Sequence, residues 1–549
     1  MHWHLLTFRT TDITIIFPFH ISIPRLLILL AHNVLVKCRI LPPSTGPPRP
    51  KSIPFNFLTI PLIAVLFLLA VKAIDRTEIR RGILGTDGVK PINIMALFVS
   101  LAYISISLDA TGLFRFLAFW VARKGGSSGQ RLYFYLFAFF LLCGVVVGND
   151  PVILSGTVFL VYLTRILGIT PPTAWIFGQF TAANMASSVL VTSNPTNLVL
   201  AGAFSLSFIT YTSSLVLPFL AAALFTYPFL AFFLFRSVEL IPRSIDLPVD
   251  ATDNNLGSNN PAAALIDKFG AVFGSGLLLV TLGVLVGTST IGVPVWEVTV
   301  PPALIMLCRD LWHDWKRHIA NKQSPQHAMS RPVNDADDTS VTIELQQRSL
   351  SVVEPTPRSP TPPTFSSLLS LSPLTRVFPT VHHVAQRLPV SLLPFSFLMF
   401  ILVQGLASHG WVQVFAGWWR AWVNNTGPVG ATFGMAVISG SLCNICGTNI
   451  GTTILLARTL QEWVSVSHPS ALTRYVSIYA IALGSNYGAF TMTFSASLAG
   501  LLWRDILRQK GIQVRRTQFA SLNLRIFAVA TVSSATILVA QSYVIHRKM

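Results

Sequence analysis

Charged residues are scarce in this chain of 549 residues: they make up 11% of it, whereas ordinary soluble proteins have about 25%. Hydrophobic residues make up 52%, and the mean hydropathy is +0.61. This composition excludes a soluble globular enzyme. The apolar residues fall into blocks about as long as a bilayer is thick, so we predict one polytopic membrane unit.

Cysteine is scarce too, and its pattern excludes two classes of site. The five cysteines show no repeat of paired cysteines, which argues against an extracellular disulfide framework and against a zinc site of the usual spacing. Cys443 and Cys446 form a C-x-x-C motif that suits arsenite or another soft ligand. Because Cys143 aligns with Cys443 and has no second cysteine beside it, we favour small buried residues at these positions.

Signatures of other protein classes are also missing. The sequence has no Walker motif, no selectivity-filter repeat and no histidine cluster with ligand spacing. These absences argue against a nucleotide-driven pump, an ion channel and a membrane-bound enzyme. The net charge of +18 is compatible with nucleic acid or anionic lipid. In a chain this apolar it more often marks cytoplasmic loops, so we expect a bilayer as partner and no nucleic acid.

The apolar blocks divide the chain into predicted units. Spans are predicted at 53–74, 91–110, 211–235, 269–287 and 292–308, with an interfacial helix at 113–124. The units are an N-terminal apolar segment of open topology (1–50), a first transport repeat (51–238), a connecting loop with the first spans of the second repeat (239–308), a disordered cytoplasmic loop rich in proline and serine (309–388), and the remainder of the second repeat (389–549).

Polar groups interrupt two of the apolar stretches at membrane depth. The runs 131–147 and 151–167 are split by Gly-Asn-Asp-Pro at 148–151, and the stretch 174–208 carries Thr-Ser-Asn-Pro-Thr-Asn at 192–197. Polar groups and helix breakers are costly in lipid unless they face protein or a water-filled cavity. The first pattern therefore predicts a re-entrant helical hairpin, and the second predicts a discontinuous helix.

The second half of the chain resembles the first. Gly112 matches Gly410, Cys143 matches Cys443 and Asn184 matches Asn486, at a nearly constant offset of about 300 residues. The basic loops 121–131 and 504–525 lie on one predicted side, which should be cytoplasmic. The second hairpin, at 428–464, then enters from the opposite side. We therefore predict an all-α polytopic membrane protein of about 11 or 12 spans, built as an inverted repeat with two re-entrant hairpins and two discontinuous helices.

Broken helices and hairpin tips free backbone and side-chain groups that bind ions. Hard oxygen ligands suit sodium or oxyanions. The candidate ligands are Asp150, Ser193, Asn194, Thr196, Asn197, Thr448, Asn449, Thr452, Thr493, Ser495 and Ser497. Alternatives stay open: Asp150 is a sodium ligand, a proton carrier or a helix cap, and the Ser and Thr residues bind ions or only pack helices. The position of Asp109 near the end of its span favours an interfacial structural role for this residue.

These motifs resemble the ion transporter superfamily of arsenite pumps, NhaD-type sodium–proton antiporters, citrate carriers and dicarboxylate–sodium symporters. GNDPVILSG and TNIGTTIL resemble its hairpins, and TSNPTNLV and TFSASLAGLLW resemble its unwound helices. The resemblance implies that Asn149 joins the ligands above and that the protein is a homodimer. Gly451 stands where arsenite pumps have Pro, and the hairpins lack Ser-Asn-Thr tips, so the substrate stays open.

The sequence therefore predicts a secondary active transporter of a small anion, either a carboxylate such as citrate or an inorganic oxyanion. A sodium or proton gradient drives it by alternating access, and no cofactor beyond sodium is expected. The alternatives are an arsenite efflux or sodium–proton antiporter and, from another class, an ion channel. We expect a multi-pass protein of the plasma membrane with its central loop in the cytoplasm.

Overall fold

The structure is a computed structural model that describes residues 57–86, 89–245, 265–288, 291, 293–323 and 377–546. The predicted N-terminal segment 1–50 and residues 324–376 of the predicted loop lie outside these ranges. Throughout the described ranges the regular structure is helical, with no strand. The predicted all-α fold is thereby confirmed.

Helices of the first half follow one another with short connections. They are α1 (Thr59–Ala70), α2 (Arg76–Leu84), α3 (Pro91–Ala110), α4 (Leu113–Gly125), α5 (Gly129–Val147), α6 (Asn149–Ile166), α7 (Thr173–Ala186), α8 (Pro195–Ala203) and α9 (Phe208–Pro228). A 3₁₀ turn (Val191–Ser193) lies between α7 and α8, and a π-helix (Phe229–Leu234) extends α9. The breaks at Gly148 and at residues 187–194 fall where polar residues and proline interrupt the apolar runs.

The second half begins with two long helices and then repeats the pattern of breaks. Its helices are α10 (Lys268–Thr288), α11 (Val295–Gln323), α12 (Pro379–Arg387), α13 (Leu392–Ser408), α14 (Trp411–Leu442), α15 (Asn449–Ser467), α16 (Ala471–Tyr487), α17 (Leu498–Gln509) and α18 (Arg516–His546). Gly427 has non-helical backbone angles and kinks α14 directly before Pro428, where the second hairpin was predicted to start. Two 3₁₀ turns, Gly488–Phe490 and Phe494–Ala496, separate α16 from α17.

Six helical stretches in the described ranges are long and apolar enough to cross a membrane. They are Pro91–Ala110, Gly129–Val147, Phe208–Leu234, Lys268–Thr288, Pro379–Ser408 and Arg516–His546. The first predicted span, 53–74, contains a shorter apolar helix, α1. These stretches are those of a polytopic membrane protein, as predicted. The total of 11 or 12 spans and the inverted orientation of the halves stay predictions.

The prediction of a disordered loop over 309–388 is wrong at both ends, because α11 continues to Gln323 and α12 occupies Pro379–Arg387. The first two charged residues of this segment, Arg309 and Asp310, are buried and paired, not solvated. Asp310 is fully buried and accepts hydrogen bonds from Tyr103 Oη (3.0 Å) and Ser107 Oγ (2.6 Å) of α3, and Arg309 Nη1 donates to it at 3.0 Å. Buried charges are tolerated when they are paired in this way, so the helix continues past Cys308.

The first segments of the two broken helices lie at the centre of the molecule. Every residue from Ala174 to Ala186 in α7 is buried, and α16 is buried continuously from Val476 to Tyr487. A helix buried on all sides belongs to the core of a bundle. Both helices end inside the protein, which places the polar residues of the two breaks at its centre.

Candidate functional site

The tip of the first hairpin is built around Gly148. This residue ends α5 and starts α6 with φ +94°, a left-handed angle that glycine adopts without strain. A Cβ atom there would lie 2.7 Å from the carbonyl oxygen of Ser193, so the tip packs directly on the first helix break. Ser193 Oγ adds a hydrogen bond of 2.8 Å to the carbonyl of Val145. The hairpin tip and the break therefore form one rigid unit.

The first break ends at Asn194, which is extended (φ −152°, ψ 138°) and caps α8. Its Oδ1 accepts a hydrogen bond from the backbone amide of Thr196 at 3.2 Å, and Pro195 occupies the first position of the helix. Asn197 donates to the carbonyls of Ser187 (2.7 Å) and Leu190 (2.8 Å), which are left free where α7 unwinds. In this conformation these predicted ligands hold the break together.

Asn486 links the two broken helices, a role that its sequence match to Asn184 did not predict. Its Oδ1 accepts hydrogen bonds from Asn194 Nδ2 (2.9 Å) and Ser187 Oγ (3.0 Å), and its Nδ2 donates to Asn197 Oδ1 (2.8 Å). Asn486 itself is fully buried. The side chains of both halves thus meet in one network at the centre of the protein.

Asn184 joins the first hairpin to this network. Its Oδ1 accepts a hydrogen bond from Asn149 Nδ2 at 3.0 Å, and its Nδ2 donates to the carbonyl of Phe180 four residues earlier. Asn486 makes the same bond to the carbonyl of Ala482. The matched asparagines thus have the same local geometry in both halves.

The second hairpin tip is closed by hydrogen bonds. Thr448 caps α15 by accepting from the amide of Gly451 (3.5 Å), and Thr452 Oγ1 donates to the carbonyl of Thr448 (3.4 Å). Asn449 is buried at the first position of this helix. Ser497 caps α17 by accepting from the amide of Gly500 at 2.9 Å. The predicted hydroxyl ligands Thr448, Thr452 and Ser497 act here as caps and intrahelical donors.

Asn444 ties the second tip to the second break, which the sequence did not indicate. Its Oδ1 accepts hydrogen bonds from the amides of Met492 (3.3 Å) and Thr493 (3.0 Å) and from Thr493 Oγ1 (3.0 Å). Its Nδ2 donates to Thr491 Oγ1 at 2.9 Å, and Ser495 Oγ donates to Thr493 Oγ1 at 3.2 Å. The predicted ligands Thr493 and Ser495 thus lie beside a closed contact.

A cavity of about 230 Å³ lies beside the first tip and the first break. Its wall is formed by α3, the hairpin tip, the break, the start of α17 and the segment after α12. Of the predicted ligands, Asn149, Asp150 and Ser193 line it. The volume is below the roughly 300–1,000 Å³ that is usual for drug-sized ligands, so the cavity suits a small solute.

The cavity has a buried floor and an exposed mouth. Asn149 at the floor is 5% exposed, whereas the side chains of Arg387 and Asp505 at the mouth are 33% and 39% exposed. Asp505 is paired with Arg504 at 3.2 Å. Asp150 lines the cavity, and within the described ranges no hydrogen bond or ion pair is recorded for its carboxylate. Asp150 is therefore placed to meet a solute or a cation.

Arg387 is the cavity residue that sequence reasoning missed. Its Nη1 donates to Asp109 Oδ2 at 2.9 Å, and Ser155 of α6 donates to the other oxygen of Asp109. Asp109 is 278 positions away along the chain, so no local pattern could have paired them. Asp109, for which an interfacial structural role was predicted, is buried and binds Arg387 at the mouth of the cavity.

The two cysteines of the C-x-x-C motif differ in burial: Cys443 is buried, whereas Cys446 is half-buried. Cys443 is fully buried, and its Sγ donates to the carbonyl of Ser439 at 3.1 Å. A Cβ atom on Gly488 would lie 2.5 Å from this sulfur, so the residue fills a tight contact between α14 and the second break. Within the described ranges no group of three or more His, Cys, Asp or Glu residues is placed to hold a metal ion. The geometry favours the packing interpretation of Cys443.

Comparisons with known proteins place this architecture among membrane transporters. A family model described as a citrate transporter matches residues 52–484. The arsenical pump membrane protein of Escherichia coli is 24% identical over 427 residues, which cover 77% of this chain and 80% of that protein. The arsenical pump membrane protein of Yersinia enterocolitica is 23% identical over the same shares. Among solved structures, the YdaH transporter of Alcanivorax borkumensis is similar with a TM-score of 0.47 and 16% identity, covering 94% of this chain and 96% of that one.

Proposed function

Because this chain belongs to the citrate transporter family, we propose that it is a secondary active transporter of a small anion, either a carboxylate or an inorganic oxyanion. A sodium or proton gradient drives the movement by alternating access. One observation carries the proposal: the cavity between the first hairpin tip and the first break has an acid, Asp150, and a cation, Arg387, in its wall.

The shape of the cavity supports alternating access. Its floor at Asn149 is buried and its mouth lies beside Asp505 and Arg387, so a solute enters from one side. By the charge of the loops, that side is the cytoplasm. The second tip is held against the second break by Asn444. A cavity beside one tip and a hydrogen-bonded contact between the other tip and its break is the kind of asymmetry expected of a single state of an alternating-access cycle.

Asp150 is the proposed site of the coupling cation. An ionised carboxylate beside an anionic substrate is unfavourable in a site of low dielectric, whereas sodium or a proton neutralises it. The backbone carbonyls and hydroxyls of the adjoining break supply neutral oxygen ligands of the kind that sodium prefers. Binding of the cation and of the anion then favour each other, which is the basis of coupled transport.

A second candidate is movement of arsenite, because the relatives in Escherichia coli and Yersinia enterocolitica are named arsenical pump membrane proteins. Arsenous acid is uncharged at neutral pH, whereas citrate and succinate are anions. The two candidates therefore differ in what they require of Arg387. An exchanger would use Asp150 as a proton carrier.

The test is uptake of radiolabelled citrate, succinate and arsenite into proteoliposomes under imposed sodium or proton gradients. Asp150→Asn should lower gradient-driven uptake at least tenfold, because the neutral amide carries no charge that attracts the coupling cation. Glu239→Gln also replaces a carboxylate with an amide, but at an exposed position. It is the matched control and should leave uptake unchanged. Full uptake by Asp150→Asn would refute the coupling site. Absence of uptake of all three solutes by the folded protein would refute the substrate class.

A further inference from the structure

We propose that Arg387 is the substrate-binding cation of the cavity and that Asp109 is its competing partner, which binds the guanidinium until an anion takes its place. This inference rests on the proposed anion transport. It deepens that function by naming the group that recognises the negative charge.

Arg387 has unused binding capacity that faces the cavity. A guanidinium carries five N–H donors, and within the described ranges one hydrogen bond is recorded for this side chain, from Nη1 to Asp109 Oδ2. Its side chain is 33% exposed and lines the cavity wall. An arginine with free donors in a small, mostly apolar cavity is suited to a carboxylate or oxyanion, which it binds in bidentate fashion.

The backbone that carries Arg387 is held in place independently of Asp109. At the other end of α12, the carboxylate of Asp314 accepts hydrogen bonds from the amides of Thr380 (2.8 Å) and Val381 (3.2 Å). Asp314 is itself buried in α11. The helix is thus fixed at its start, and the side chain of Arg387 is free to exchange partners without moving α12.

Asp109 is placed to compete with the anion for the guanidinium of Arg387, and it contacts the first hairpin. The carboxylate is buried and lies between Arg387 and Ser155, which belongs to the second helix of the first hairpin. When the guanidinium turns to an anion, Asp109 loses its charged partner while its contact with the hairpin remains. Arrival of the anion therefore changes the charge balance at the hairpin itself, which connects recognition to the element that holds Asp150.

The other charged groups in the lining of the cavity do not replace Arg387. The lining of the cavity includes two further charged side chains, Asp150 and Asp505, and both are acidic. An anion in this cavity therefore meets the carboxylate of Asp150, that of Asp505, which is paired with Arg504, and the guanidinium of Arg387. Removal of Arg387 should abolish the attraction, whereas removal of Asp109 should leave it intact.

The experiment measures KM and maximal rate for citrate uptake in proteoliposomes. Arg387→Gln should raise KM roughly 10- to 100-fold, the range expected for loss of a hydrogen bond to a charged group. Arg387→Lys keeps the charge without the bidentate geometry, so its KM should lie between those of the unsubstituted protein and of Arg387→Gln. Asp109→Asn should leave KM unchanged or lower it, because the competitor has lost its charge. Arg243→Gln, at an exposed arginine, is the control.

A purely structural ion pair predicts a different pattern, since Arg387→Gln and Asp109→Asn would then raise KM alike and lower the melting temperature alike. That result overturns the inference, as does an unchanged KM in Arg387→Gln. If Asp109→Asn does not fold, the order of Arg387→Lys and Arg387→Gln decides. Uptake of neutral arsenous acid alone by the unsubstituted protein would refute Arg387 as an anion site but leave a transporter. Absence of uptake of any anion by it would refute the proposed function and this inference together.

Discussion

Asn486 is the side chain on which we expect the central network to depend most. Asn486→Ala removes the hydrogen-bond partner of Asn194 Nδ2 and one of the two partners of Ser187 Oγ and of Asn197 Oδ1, all of which are buried. Ser187 Oγ keeps the carbonyl of Asn184, and Asn197 Oδ1 keeps Thr196 Oγ1. An unsatisfied buried polar group costs about 1–3 kcal/mol, whereas interhelical hydrogen bonds in a membrane protein average about 0.6 kcal/mol. One orphaned donor and two further lost bonds then give an expected loss of stability of roughly 2–4 kcal/mol.

The assay is thermal unfolding of the detergent-solubilised protein at a fixed scan rate, because unfolding of large membrane proteins is often irreversible. Asn486→Ala should lower the apparent melting temperature by several degrees and abolish transport. The matched control is Asn425→Ala. Asn425 makes the same bond to a carbonyl four residues earlier, Ala421 at 2.9 Å, but lies exposed on α14. Equal melting temperatures for the two variants would refute the claim that the network holds the broken helices together.

The remaining predictions concern the tips and the cysteines. Gly148→Ala should lower the maximal transport rate at least tenfold, because its Cβ would lie 2.7 Å from the carbonyl of Ser193; Gly168→Ala, with φ +66° and open space around it, has the backbone strain without the clash and should retain most activity. Asn444→Ala should separate the second tip from the second break, so a cysteine placed at Thr491, which is buried beside Asn444, should react faster with an impermeant maleimide in that background. Cys443→Ala and Cys446→Ala should both keep arsenite and citrate uptake. Selective loss of arsenite uptake in both would restore the soft-ligand interpretation.

The breaks in the helices could be predicted because their causes are local. The sequence Gly-Asn-Asp-Pro at 148–151 combines polar groups with a proline inside an apolar run, and the chain turns there at Gly148. The start of α8 at Pro195 and the kink at Gly427 follow from the same local chemistry. Such signals need no knowledge of the rest of the fold.

The partners of the charged residues could not be predicted in the same way. Hydropathy treats Arg309 and Asp310 as solvated, yet Ser107 and Tyr103 of α3 bind Asp310 inside the protein and let α11 continue to Gln323. Arg387 lay in a segment predicted to be disordered, and its partner Asp109 is in α3. These pairs depend on tertiary contacts, which a single sequence does not contain.

The difference between the halves follows from one aligned position. In the gapless match of the two hairpins, Gly144 of α5 corresponds to Asn444. A Cβ atom at Gly144 would lie 2.8 Å from that of Ala186, so only glycine lets α5 pack this closely on α7. At Asn444 there is room for a carboxamide, which binds the backbone of the second break. Two halves with similar motifs thus differ in the contact between tip and break, and the half with glycine borders the cavity. If these contacts exchange during transport, the Asn444 hydrogen bonds must break when the opposite side opens, so a cysteine at position 491 should be labelled faster with Asn444 in place once an anion and a driving gradient are supplied.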